Sequence, residues 1–478
     1  LRAFGPDFSE GPVLSSQFHP SFVEAKPKSG AKPIWCVDAD SWVSVRSSLP
    51  KAAAAFAETS GFKPTAGQFL LLPDEKGAVA GALLAFDAAS VRMQDSFVAG
   101  KLSSLLPAGI WRFASLPPGP RLAALAFALG TYRFTRYRSG EEKKVQLEIP
   151  EGVDGAEASR IAEAIFLVRD LINTPANDMG PAEIEEAVRT LAKRFGATIS
   201  SVVGDNLLKE NFPLVHAVGR AADREPRLID MRWGNTSHPK VTLVGKGVSF
   251  DTGGLDIKPA SGMLLMKKDM GGAANALGLA SMVMDAKLPV SLRVIIPAVE
   301  NSIAGSAFRP GDILKSRKGI TVEIGNTDAE GRLILADALT LADEESPEIV
   351  IDFATLTGAA RVALGPELPP AYTDDDEFAS ALERHAKAEA DPLWRMPLWR
   401  PYASMLDSKI ADMNNVSSGP FAGSITAALF LARFVERAKS WLHLDIFAWN
   451  ASAKPGRPEG GEAMTIRALY ALLKERYH

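Results

Sequence analysis

The chain has 478 residues, 46% of them hydrophobic and 23% charged, with a net charge of −4. That length and apolar fraction suffice for a large core and two domains. The charge balance carries no electrostatic footprint for nucleic acid or a membrane surface, and the single cysteine, Cys36, excludes an intrachain disulfide and fits a reducing compartment.

The opening segment, LRAFGPDFSEG, has no basic-then-apolar signal architecture. No run of about eighteen apolar residues marks a membrane-spanning helix. A cytoplasmic location is therefore expected, and the missing initiator methionine points to a trimmed chain. Next come alanine-rich helical patterns (KAAAAFA, 51–57; RLAALAFALGTYRF, 121–134) and an extended run (GQFLLLP, 67–73). KKVQLEIPEGVDG, 143–155, reads as a last strand and a turn, and AEASRIAEAIFLVRDLIN, 156–173, has the apolar spacing of a connecting helix. The expected division is an N-terminal α/β domain over 1–155, a connecting helix over 156–175 and a larger domain over 176–478.

Beyond that helix the pattern predicts strands at 197–203, 213–218, 227–233, 241–245, 292–297, 320–324, 348–354 and 442–447. Helices are predicted at 181–195, 272–286, 334–344, 377–389, 424–437 and 464–475. Such alternation, with β-branched apolar strands, predicts an α/β fold with a mainly parallel central sheet covered by helices on both faces. Ligands in these sheets bind beyond the carboxyl ends of the strands.

Polar clusters fall at those ends. KVTLVG runs into KGVSFDTGGLDIKP, which carries Lys246, Asp251 and Lys258. MLLMKKDMGGAAN carries Asp269 ahead of a helix. GITVEI runs into GNTDAEGRL, which carries Asp328, Glu330 and Arg332, and EIVIDFA runs into TLTGAA. Asp251, Asp269, Asp328 and Glu330 in one crevice would repel strongly unless cations neutralised them. Two divalent ions bridged by carboxylates would do so and would activate a water for hydrolysis. Separate solvated turn acids are the plainer alternative. Lys246 suits either a neutral metal donor or an ion-pair partner, while Lys258 and Arg332 suit an oxyanion or a small bound anion.

Other signals are weaker. Asn326, Asp328, Glu330, Gly331 and Asp337 fall on EF-hand positions, yet the loop follows a predicted strand and would close with Asp rather than a bidentate Glu. GKG at 245–247 lacks the spacing of a phosphate-binding loop. The six histidines show no metal-binding helical spacing. TDDDEF, 373–378, reads as a solvated helix start. Met263, Met266 and Met270 read as core or pocket lining.

VGKGVSFDTGGLDIKP, MLLMKKDMGGAAN and above all NTDAEGRL resemble the leucyl aminopeptidase family, the M17 cytosol aminopeptidases. RDLINTPAND, RPGDIL, DFATLTGAARVALG, WRMPLW and SKIADMNN extend the resemblance over roughly residues 160–450. The resemblance implies an exopeptidase that uses two divalent metal ions per subunit, zinc or manganese, and cleaves leucine-like N-terminal residues from peptides. Lys246, Asp251, Asp269 and Glu330 would hold the tighter ion, and Asp251, Asp328 and Glu330 the more exchangeable one. Lys258 would polarise the scissile carbonyl, and Arg332 would hold a bicarbonate acting as general base toward a metal-bridging water. Asp269 would also receive the substrate amino group, and Met266, Asn326, Thr355, Leu356 and Gly358 would line the substrate pocket. The family assembles as a hexamer, a dimer of trimers.

Three segments depart from the family's usual pattern. FAWNAS stands after WLHLDI where Ala-Gly is common, EAMTIR occupies 462–467, and SSGPFAGSITAA also varies. They bear on side-chain preference. A catalytically silent scaffold protein would be expected to have lost a ligand position, and none is lost here.

Overall fold

The computed structural model describes residues 18–26, 30–86, 97–138, 140 and 143–478. The chain divides into two compact units. One comprises the described residues up to Phe166 together with Ala451–Glu459, and the other comprises Leu167–Asn450 with Gly460–His478. The division falls inside the helix Gly155–Asn173. Among the described residues no helix is long and apolar enough to cross a membrane.

The first unit is built on a six-stranded sheet in the order Phe22–Val23, Val145–Glu148, Gly109–Ser115, Lys32–Val37, Val79–Ala85 and Phe69–Pro73. Its strands pair in parallel except at the edge, where Phe69–Pro73 runs antiparallel. Helix Lys51–Thr59 presents Ala53 and Ala57 to Leu72 and Leu83 of that sheet. Cys36 is buried, and burial pushes its thiol above the usual range, which makes it an inert core residue.

The second unit carries a nine-stranded sheet: β1 (Thr198–Val203), β2 (Arg227–Trp233), β3 (Lys240–Gly245), β4 (Gly247–Asp251), β5 (Ser291–Asn301), β6 (Ile349–Ala354), β7 (Pro370–Tyr372), β8 (Trp394–Arg395) and β9 (Ser440–Asp445). The order is β8-β7-β9-β6-β3-β5-β2-β1, with β4 beside the far half of β5. β9, β6, β3 and β5 run parallel, and antiparallel pairs close both sides. β3 and β6 are buried almost throughout, as strands covered on both faces must be. Helix Gly271–Asp285 packs with Ile466–Tyr477 and Pro181–Phe195, and helix Glu330–Asp343 packs with Pro213–Gly219 and Gly423–Ala432. Both touch β3 while sharing none of those helical partners, so they cover opposite faces of the sheet.

Two sequence expectations need correction. Residues 213–218 are not a strand but part of the helix Pro213–Gly219. A short apolar run reads equally as a strand or a buried helix, and here Pro213 occupies the first turn while the Asp337 carboxylate receives the N–H groups of Leu214 and Val215. The strand expected at 320–324 is real but short, Thr321–Glu323. It belongs to a separate three-stranded sheet with Ile313–Lys315 and Met413–Asn414, not to the central sheet.

Candidate metal centre

Lys246 occupies the single-residue joint between β3 and β4. Its N–H donates to Phe353 O on β6 at 2.9 Å, and its carbonyl accepts from Ala273 N at 2.8 Å. The side chain is thereby aimed across the carboxyl edge of the sheet. Its Nζ lies 2.8 Å from Asp269 Oδ2 and 3.0 Å from Glu330 Oε1, and it donates to Thr355 O at 2.8 Å. Gly331 makes room for this: a Cβ there would sit 2.6 Å from Lys246 Cε.

Asp251 closes β4 and accepts from Gly253 N at 2.8 Å and from Asn301 Nδ2 at 2.9 Å. Gly253 and Gly254 take positive φ, and the loop turns back so that Lys258 Nζ reaches Asp251 Oδ2 at 2.8 Å and Asp328 Oδ1 at 2.5 Å. Asp269 lies on the 3₁₀ turn Met266–Met270, where its Oδ1 accepts from Thr355 Oγ1 at 2.7 Å. Glu330 opens the helix Glu330–Asp343, and Asp328 N donates to Asn326 Oδ1 at 2.7 Å, which tightens the turn before it. Lys246, Asp251, Asp269 and Glu330 are buried, and Asp328 is half-buried.

Ligand atoms of Asp251, Asp328 and Glu330 lie within 4.8 Å of one another. Asp269 joins the group through its shared partner Lys246. Four carboxylates therefore face two ammonium groups, and the surplus is negative. Burial and the neighbouring Asp251 charge push Asp328 up to about 6 and Glu330 up to about 8. Burial opposes the Lys246 ammonium, but Asp269, Glu330 and Asp251 outweigh it and hold its pKa above the usual range. Lys258 behaves likewise, with Asp251 and Asp328 outweighing burial. The enclosed oxygens Asp269 Oδ2, Asp328 Oδ1 and Glu330 Oε1 face these ammonium groups yet receive no well-directed hydrogen bond. An acid-rich cluster whose carboxylate oxygens have free lone pairs fits divalent cations.

Arg332 is buried beside this group. Its Nη1 donates to Asn415 O at 2.7 Å, whereas its Nε is enclosed without a hydrogen-bond partner. Burial lowers the guanidinium to about 10, with Glu330 and Asp445 opposing the shift. Leu356 and Gly358 flank Thr357 in the loop after β6, and Met266 begins the 3₁₀ turn of Asp269. Asp337, the EF-hand closing position, points away and serves the backbone of Leu214, Val215 and Arg317.

Two positioning residues escaped the sequence reading. Asn415, fully buried, accepts from Gly325 N and Asn326 N through Oδ1, and its Nδ2 donates to Asn326 O. Asp445 ends β9 and accepts from Leu356 N at 2.9 Å, Thr357 N at 3.1 Å and Thr357 Oγ1 at 2.6 Å. A buried acid at the carboxyl end of a strand was the available signal for Asp445. Asn415 closes the family-like segment SKIADMNN, but its role could not be read there, because its partners are backbone groups about ninety residues away.

Residues 166–470 match the model of the cytosol aminopeptidase family catalytic domain, and residues 32–150 match that of the M17 aminopeptidase N-terminal domain. The chain belongs to the M17 cytosol aminopeptidase family. It is 41% identical over 365 residues to a probable cytosol aminopeptidase of Roseiflexus castenholzii, covering 73% of this chain and 74% of that protein. The structure of a cytosol aminopeptidase from Coxiella burnetii superposes with a TM-score of 0.90 at 45% identity, over 96% of this chain and 100% of the other. A bottromycin maturation enzyme, BotP, solved in complex with Mn, gives 0.83 at 31% identity over 94% and 100%. M17 enzymes are metal-dependent aminopeptidases, and this protein is such a hydrolase. The N-terminal match lies outside residues 160–450, the stretch over which sequence motifs carry the resemblance.

Proposed function

We propose that the protein removes N-terminal residues, leucine-like ones included, from peptides at the cluster around Lys246 and Lys258. The observation that carries this reading is four carboxylates on three separate chain segments, gathered against two lysines with enclosed oxygens left without well-directed hydrogen bonds. Asp251, Asp269 and Glu330 would hold one divalent ion, joined by Lys246 as a neutral amine once the ion's charge drives off its proton, and Asp251, Asp328 and Glu330 would hold a second, with zinc or manganese both suited. The manganese bound by the related BotP favours the latter. Ions held there supply Lewis acidity toward a carbonyl and acidify water toward neutral pH.

The chain's own groups do the rest. Asp269 receives the free α-amino group, which restricts cleavage to the first residue. Lys258 Nζ, pinned between Asp251 and Asp328, donates to the carbonyl oxygen as negative charge develops on it. Arg332, with its free buried Nε–H, holds a small anion such as bicarbonate beside the carboxylates, where a proton from the attacking water can be accepted. Met266, Asn326, Thr355, Leu356 and Gly358 border the first side chain.

Leucine amide hydrolysis in added Mn or Zn tests the reading. Activity should vanish with chelator and in Asp251→Ala, and Arg332→Ala should slow the reaction and remove its response to bicarbonate. Chelator-resistant turnover, or an undiminished Asp251→Ala enzyme, would overturn it.

A further inference from the structure

Arg361 and Phe447 line a small cavity together with Thr357 and Asp445, next to the proposed first-residue pocket, and they hold a feature that leucine does not explain. Lys268 directly precedes Asp269 and is only 5% exposed. Its Nζ lies 4.4 Å from the centre of the Phe447 ring, and the Arg361 guanidinium lies 5.4 Å from the same centre. Neither cation forms a salt bridge or hydrogen bond with any described residue. None of the ion pairs among the described residues draws on Lys268 or Arg361.

The surroundings tie this trio to the site. Phe447 follows Asp445 by two residues, and Asp445 holds the N–H groups of Leu356 and Thr357. Arg361 lies three residues after Gly358, on the helix Gly358–Leu364. The next residue, Ala448, takes φ +57°, and a Cβ on Gly271 would sit 2.5 Å from its Cβ, so the Phe447 backbone is seated against the turn that carries Asp269. Both cations therefore lie against one ring, on elements that also build the pocket.

We propose that Lys268, Phe447 and Arg361 form a subsite that accepts an acidic first side chain, glutamate or aspartate. This rests on the aminopeptidase reading above and names a substrate class for the same pocket. A buried ammonium without an anionic partner is costly, and a substrate carboxylate delivered beside it recovers that cost on binding. The Phe447 face steadies both cations until then, while Met266 and Leu356 still offer apolar surface to leucine.

The test compares α-glutamyl and leucyl p-nitroanilides with the Mn-loaded enzyme. The wild type should cleave the glutamyl substrate with a kcat/KM within about tenfold of the leucyl one. Lys268→Met should lower the glutamyl-to-leucyl ratio roughly tenfold to a hundredfold, and Arg361→Gln should lower it severalfold. A purely structural lysine would move both substrates together and leave the ratio alone. Arg361 is exposed, so its variant keeps the test open should Lys268→Met fail to fold. An unchanged ratio in the variants that fold, or an enzyme that cleaves only the leucyl substrate, overturns the subsite. Failure to cleave either substrate overturns the aminopeptidase reading instead.

Discussion

Gly331 shows how much of the site depends on one missing methyl group. Its Cα faces the Lys246 side chain, and an added Cβ would meet Cε at 2.6 Å, Nζ at 2.7 Å and Cδ at 2.8 Å. A flexible lysine on the surface would swing aside. Lys246 is 2% exposed and tied to Asp269, Glu330 and Thr355 O, so it has nowhere to go. Gly331→Ala should therefore weaken metal binding and aminopeptidase activity by about tenfold or more, as displaced groups do at metal sites, and lower the thermal melt as well. Metal titration of the purified variant reads this directly, and wild-type affinity with wild-type rates would contradict it.

Among the elements, the helix Pro213–Gly219 is held to the helix Glu330–Asp343 through one carboxylate. Asp337 Oδ2 accepts from Leu214 N at 2.8 Å and Val215 N at 3.3 Å, and Oδ1 accepts from Arg317 N at 2.8 Å. Both oxygens are committed as acceptors. Asp337→Asn must turn its NH₂ toward at least one of these donors, which leaves a buried N–H unsatisfied at a cost of about 1–3 kcal/mol. Urea denaturation midpoints measure the loss, and an equally stable variant would show that the contact is dispensable. The same contact explains why a sequence pattern mistakes this helix for a strand: the residue that caps it lies more than a hundred positions away.

For the molecule as a whole, one buried histidine links the stability of the N-terminal unit to pH. In the N-terminal unit His19 is buried, its Nδ1 accepts from Ser21 N at 3.3 Å, and its ring packs edge-on against Phe166. Burial lowers its pKa to about 4. Between that value and the ordinary value near 6.5, the unfolded chain binds a proton that the folded unit does not. This stability contribution is thus present above about pH 6.5 and is lost as pH falls toward 4. His19→Gln should flatten that part of the acid-unfolding profile. Melts at pH 7 and pH 5 check it, and an identical pH response in the variant would sink it.

The chemistry of the site was legible in the residues themselves. Carboxylates and lysines in glycine-rich loops after apolar strands point to a metal centre because such charges need cations if they meet, and the NTDAEGRL signature pointed to the family. Whether they meet was decided only by the tertiary structure. Parallel strands β3 and β6 and the joint at Lys246 bring together segments from 246 to 330, and Thr321–Glu323 reaches the site from a separate small sheet. Asn415 and Asp445 could not be read locally, because they work by binding backbone N–H groups distant in sequence. Nor could the Lys268–Phe447–Arg361 stack, whose members are separated by up to 179 positions (447 − 268). Residue type sets what each group can do, and long-range packing sets which groups do it together.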